Sequence, residues 1–224
     1  MFETLNLSNL SERESGLLRG PSNTRPALRI VEEEGTRAVI KDYSSNGFIF
    51  RNFIGRFLVW REKKAYRSLE GIRGVPRLYG VIGGLALIME EVDGKSVEGM
   101  EKEERLSRTF FEDLKALVAN VHRRGLAHCD LKRAPNTLLG NDGQPYIVDW
   151  SAAISKRAFR FFPLNLIYGR FIQDDLNAIV KLQLKHCPES VSSEEKRRYC
   201  HRGSLERLVR AVRDRSREWL QKMA

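Results

Sequence analysis

No apolar run in the chain approaches the roughly 18 residues that a membrane-spanning helix needs, which excludes a spanning segment of that kind. The opening residues, MFETLNLSNLSERESG, lack both a basic start and an apolar core, so they do not read as a secretory signal. Cysteine is scarce. Cys129, Cys187 and Cys200 are odd in number, which argues against a disulfide framework and suits reduced thiols in a cytoplasm. The pairs His186-Cys187 and Cys200-His201 match no C-x-x-C spacing, so no zinc site is expected. Neither an RNP aromatic pair nor C₂H₂ spacing is present, and nucleic acid is not an expected partner. Acidic side chains are outnumbered, 29 against 39 Lys and Arg, leaving a net charge of +10. That balance asks for an anionic partner such as nucleotide phosphates or an anionic membrane surface.

The densest chemistry lies between His128 and Trp150, in HCDLKRAPNTLLGNDGQPYIVDW. The apolar runs Thr137-Leu138-Leu139 and Tyr146-Ile147-Val148 flank the turn formers Gly140-Asn141-Asp142-Gly143, a pattern that predicts a β-hairpin. A hairpin returns its two ends to one place. Asp130, Lys132, Asn136 and Asp149 would then share one small volume. Carboxylate and amide oxygens are hard ligands suited to magnesium, and with an ammonium beside them the set suits phosphoryl transfer.

Upstream, residues 1 to about 17 are polar and read as a loose arm or a short helix. Residues 27–31 and 37–41 flank a Glu-Glu-Gly turn and predict two strands, the second ending AVIK at Lys41. Residues 57–70 change to helical spacing, with Phe57, Trp60, Ala65 and Leu69 as the apolar face and Glu62 near the middle. Residues 75–81 and 85–89 predict a further strand pair across Gly83-Gly84, running into the polar connector Glu90-Glu91-Val92-Asp93-Gly94. Phe110, Leu114, Leu117, Val118 and Val121 mark a helix that stops at Arg124-Gly125.

A strand ending AVIK, a helix with Glu62, LIMEEVDG, HCDLK…N and IVDW, in that order, resembles the protein-kinase-like superfamily over roughly residues 27–180. The resemblance implies an α+β fold of two lobes: a small antiparallel-sheet N-lobe at about 18–90, a hinge at 90–95 and a mostly helical C-lobe at 96–224, all one domain. It implies ATP and Mg²⁺ as cofactors. Lys41 corresponds to the lysine that holds the α- and β-phosphates, and Glu62 to its helix partner. Met89 would line the back of the adenine pocket, with Glu90 and Val92 offering backbone groups to the adenine edge. Asp130 corresponds to the aspartate that takes the acceptor's proton, and Lys132 to a lysine near the γ-phosphate. Asn136 and Asp149 would hold the metal. His128 reads as a buried support of the loop, and His122 as a core or cap residue.

The chain departs from the pattern in four ways. Asn136 lies six residues after Asp130 instead of five, with Pro135 in the usual slot, so the loop must bulge. No G-x-G-x-x-G precedes Lys41, and Gly20-Pro21-Ser22-Asn23-Thr24 is the one candidate flap. Asp149 is followed by Trp150-Ser151 in place of Phe-Gly, and there is no A-P-E or full activation segment. These features are similar to RIO-type kinases and to the bacterial lipopolysaccharide-core (Kdo/heptose) kinases.

Downstream, Phe159, Phe161, Phe162, Tyr168 and Phe171 mix with Lys156, Arg157, Arg160 and Arg170, which reads either as packing on the lower lobe or as an acceptor- or membrane-facing patch. Asp174 or Asp175 reads either as the aspartate that ties down the catalytic loop or as a plain N-cap. Leu205, Leu208, Val209, Val212, Trp219, Leu220 and Met223 predict an amphipathic C-terminal helix. Lys132 favours a serine/threonine-type protein kinase. The alternatives are a lipopolysaccharide-core sugar kinase at the cytoplasmic face of the inner membrane, a nucleotide-binding pseudokinase or a membrane-surface adaptor.

Overall fold

The structure, a computed structural model, describes residues 2–100, 105–162 and 164–200. Its N-terminal half is a five-stranded antiparallel sheet made of β1 (Glu14–Arg19), β2 (Ala27–Glu33), β3 (Thr36–Asp42), β4 (Leu78–Ile82) and β5 (Ala86–Glu90), in the order β1-β2-β3-β5-β4. Gly83 and Gly84 both take positive φ, +56° and +68°, which lets the β4–β5 hairpin turn tightly. β4 begins at Leu78, so Val75, Pro76 and Arg77 precede the strand.

The period-2 rule divides this sheet between two cores. Tyr43, Leu85, Leu87 and Met89 join the large core shared with the helices. Ala38, Ile40, Ala86 and Ile88 face the other way, into a second cluster closed by Phe2, Leu5 and Leu10. The N-terminal segment is therefore neither a loose arm nor a helix. Residues 2–13 lie over the outer sheet face, and residues 14–19 add an edge strand. Sequence reading missed this because three widely spaced apolar residues in a polar segment carry no period, although each is buried.

A π-helical stretch, Phe50–Gly55, leads into α1 (Arg56–Ser68). The buried residues of α1 are Val59, Glu62, Ala65 and Tyr66, followed by Leu69. Phe57 and Trp60 are instead exposed, 52% and 57%, which corrects the face expected for this helix. At about 100° per residue both lie roughly opposite Glu62, so burying that carboxylate turns the two rings outward.

The C-terminal half carries α2 (Arg108–Arg123), α3 (Leu164–His186) and α4 (Ser193–Cys200). Ser107 caps α2 by accepting from the Phe110 N–H at 3.1 Å. Gly125 ends it with φ +78°, as the sequence predicts. Short strands complete this half: β6 (Gly94–Ser96), β7 (Leu126–Ala127), β8 (Thr137–Gly140), β9 (Pro145–Ile147) and β10 (Ile154–Ser155). β8 and β9 form the expected hairpin, with Thr137 opposite Ile147, and β6 pairs with the outer edge of β8. The residues of the predicted C-terminal helix lie outside the described residues. None of the described helices is long and apolar enough to cross a membrane.

Candidate active site

Lys41 is the centre of the site. Its Nζ donates to Glu62 Oε2 at 2.8 Å and to Asp149 Oδ1 at 2.7 Å, joining β3, α1 and the end of the β8–β9 hairpin. Lys41 sits directly across from Leu87, and Val39 across from Met89, so all four side chains share the sheet face that looks into the large core. The sequence order thus brings three charged groups from distant positions to one point.

The electrostatics follow from burial. Glu62 is fully buried, and that raises its pKa above the ordinary carboxylate value, with Lys41 opposing and Asp149 adding to the rise. Burial would also raise Asp149, but the Lys41 charge, its hydrogen bond and a further bond from Ser151 Oγ at 2.7 Å hold this carboxyl well below its usual range. Lys41 loses solvation, yet the two carboxylates keep its pKa well above normal. Asp149 is consequently an anion at any physiological pH. Both of its bonds fall on Oδ1, so Oδ2 is the oxygen a divalent cation would take.

The loop carrying Asp130 is held from below. His128 is 1% exposed, its Nε2 donates to the Val148 carbonyl at 3.0 Å and its Nδ1 accepts the Asp130 N–H at 3.2 Å. Asn136 lies in a 3₁₀ turn, Ala134–Asn136, where the extra residue of the loop is absorbed. Its Nδ2 donates to the Asp130 carbonyl at 3.0 Å, and its own carbonyl accepts the Val148 N–H at 3.0 Å. His128 and Asn136 therefore each tie the segment at Asp130 to the segment at Asp149. With the Asn136 nitrogen committed to a carbonyl, its side-chain oxygen is the end left for a ligand.

Two of these residues adopt positive φ without being glycine: Cys129 at +67° and Asp149 at +63°. Such backbone costs on the order of 1–3 kcal/mol and persists where surrounding bonds over-determine it. At Cys129 the restraint is Asp175. Its carboxylate accepts the backbone N–H of His128 at 2.7 Å and of Cys129 at 2.9 Å, and it also meets His122 Nε2 at 3.1 Å. Asp175 is mid-helix in α3 and 1% exposed, so the N-cap reading fails and the loop-tying one stands. Asp174 instead pairs with Arg170 at 3.3 Å. Burial drives the Cys129 thiol far above its normal pKa, which removes it as a nucleophile.

The remaining predicted residues distribute as follows. Met89 is buried on β5, and Glu90 ends that strand, its N–H bonded to the Arg77 carbonyl at 2.8 Å. Val92 lies in the connector that Arg37 and Glu91 brace with an ion pair of 2.9 Å. Residues 20–24 fall between β1 and β2, where Ser22 and Arg25 form an isolated bridge. Lys132 is exposed on the turn after Asp130, and Arg133 faces the Asp130 carboxylate at 3.5 Å. Sequence reading missed Arg133 and Ser151. A cation three residues past a loop carboxylate, and a hydroxyl two past another, were the available signals. The aromatic segment after the site splits: Phe159 and Phe171 stack edge to face and Tyr168 is buried, while Phe161 and Phe162 are exposed.

A family model described as "RIO domain" matches residues 49–195. The chain is similar to the serine/threonine-protein kinase PknD of Chlamydia trachomatis serovar L2b (strain UCH-1/proctitis), with 41% identity over 78 residues, 33% of this chain and 8% of PknD. It is also similar to the 3-deoxy-D-manno-octulosonic acid kinase of Xylella fastidiosa (strain 9a5c), with 35% identity over 72 residues, 32% of this chain and 28% of that kinase. The matched stretch thus spans less than a third of either relative's length.

Proposed function

This chain belongs to the RIO domain family, and we propose that it is an ATP-dependent kinase, one domain of two lobes, that transfers the γ-phosphate to an acceptor hydroxyl. The observation that carries this reading is the Lys41 ammonium held between Glu62 and Asp149. A buried cation fixed in that way is a preorganised phosphate contact, with no reorganisation left to make when nucleotide arrives. Met89 and the connector backbone at Glu90 and Val92 would receive the adenine.

The donor chemistry fits Mg²⁺. Asp149 supplies a permanently ionised carboxylate and Asn136 an amide oxygen, and magnesium takes few protein ligands beside phosphate oxygens and water. The ion would neutralise charge on the phosphates. Asp130 would accept the proton of the acceptor hydroxyl, with Arg133 or Lys132 on the same turn offsetting negative charge near the γ-phosphate.

For the acceptor, similarity to PknD supports a serine or threonine hydroxyl. A second reading, a sugar hydroxyl of a lipopolysaccharide core, is supported by similarity to the octulosonic acid kinase and by the short connection from Asp149 to α3. A pseudokinase is disfavoured by the intact Lys41, Glu62, Asp130 and Asp149. Incubating the full chain with γ-labelled ATP and Mg²⁺ in a cell lysate, then separating protein, lipid and saccharide fractions, tests all three. Label in protein supports the first reading, label in saccharide the second, and nucleotide binding with no transfer the third.

A further inference from the structure

A groove of about 480 Å³ runs along the side of α1 that faces away from the Lys41 site. Lys64, Arg123, Arg124, Lys156, Arg157 and Arg160 line it, with the hydroxyls of Ser68 and Ser155 and no carboxylate. Lys64 lies two residues from Glu62, about 200° around the helix, so this groove is separate from the nucleotide site. Among the described residues none of the six cations is ion-paired with an acid. Concentrating like charges in a concave wall is unfavourable by itself and raises the local potential for anions.

The groove walls continue into exposed apolar surface. Lys64 lies over the Trp60 ring at 5.4 Å, and Arg160 over the Phe161 ring at 4.7 Å. The Trp60 ring meets that of Phe57 at 6.0 Å between centroids, and Phe57, Phe53 and Ile49, successively earlier in the chain, are 52, 72 and 73% exposed. Following Phe161 in the chain, Phe162 is 79% and Leu166 65% exposed. We infer that this face binds an anionic lipid bilayer, with headgroup phosphates in the basic groove and the flanking rings at the acyl boundary. Charge complementarity selects an anionic occupant. The aliphatic Ile49 and Leu166 select lipid over single-stranded nucleic acid, because they offer no ring for a base to stack on.

The proposal stands apart from phosphoryl transfer and is tested without it. Full-length protein is sedimented with phosphatidylcholine vesicles, with and without phosphatidylglycerol, alongside the variants Arg157→Glu/Arg160→Glu and Trp60→Ser/Phe161→Ser. Each basic residue at an anionic surface contributes about fivefold to partitioning, so the charge-reversal variant should bind at least ~25-fold more weakly. The Ser variant should lose the binding that survives high salt. Thermal melts matching wild type keep either loss from being a folding effect. Three results would overturn the assignment: no retention on anionic vesicles, retention unchanged by both variants, or tight binding of RNA or inositol hexakisphosphate without vesicle binding.

Discussion

Asp175 Oδ1 accepts the backbone N–H of Cys129 at 2.9 Å, and Cys129 is the residue just before Asp130, with φ +67°. A buried carboxylate on a long helix thus holds the strained peptide that aims the proposed catalytic aspartate. Removing it frees two buried N–H groups at once, since Oδ2 accepts from His128. Each orphaned group costs about 1–3 kcal/mol. Asp175→Ala should therefore lower unfolding free energy by roughly 2–5 kcal/mol in urea titrations. Turnover should fall about 10²-fold, as expected for a ~1 Å displacement, while ATP affinity changes little. Asp175→Asn, which keeps one acceptor oxygen, should recover part of both losses. Full activity in the alanine variant would remove Asp175 from the positioning of the loop.

A second expectation concerns the buried charge cluster. Lys41→Met leaves Glu62, fully buried, without its cation, and an uncompensated buried charge costs about 3–5 kcal/mol. The double variant Lys41→Met/Glu62→Gln removes that stranded charge and should be more stable than Lys41→Met alone. Neither should bind ATP at wild-type affinity. Equal stability of single and double variants would mean that Glu62 simply protonates.

Much of this site could be read from the order of the sequence pieces, because the hairpin at 137–147 and the strand ending at Lys41 each carry a local turn signal. Glu62 and Lys41 meet because strand and helix follow one another across a single connection. What escaped reading was set by tertiary contacts. Phe57 and Trp60 look like core residues in any helical window, yet the polar Glu62 takes the inward face because Lys41 waits there. The N-terminal cover over the outer sheet face depends on three scattered residues. Asp175 resembled a helix start because α3 begins eleven residues earlier, in an aromatic segment with no start signal of its own.

The two aspartates should separate in kinetics. Asp130→Asn preserves the hydrogen bonds of the Asp130 backbone to His128 and Asn136, so it should bind Mg-ATP nearly normally and lower kcat by about 10²–10⁴. Asp149→Ala removes the ionised oxygen pair and the Lys41 contact, so nucleotide affinity should respond to magnesium far less than in wild type. Calorimetric titration with and without Mg²⁺ distinguishes them. A metal-dependent affinity that is unchanged in Asp149→Ala would shift the metal role elsewhere.

His128 makes stability depend on mild acid. Burial lowers its pKa from the ordinary 6.5, although Asp175, the Val148 carbonyl, Asp149 and Asp130 pull the other way. The hydrogen bonds agree with a neutral ring, since Nδ1 accepts the Asp130 N–H while Nε2 donates to Val148. Below pH 6.5 the unfolded chain therefore binds a proton that the fold refuses. Its contribution is complete above that value and declines as pH falls towards the folded pKa, by at most about 1.4 kcal/mol per pH unit. Asp149 acts in a separate window, below its ordinary value of 3.8. Urea unfolding between about pH 7.5 and 5 should show wild-type stability sloping downward. His128→Gln, with an amide to meet the Val148 carbonyl and no titrating group, should be less stable at neutral pH but flatter across that range. Equal slopes in the two proteins would assign the acid sensitivity to another group.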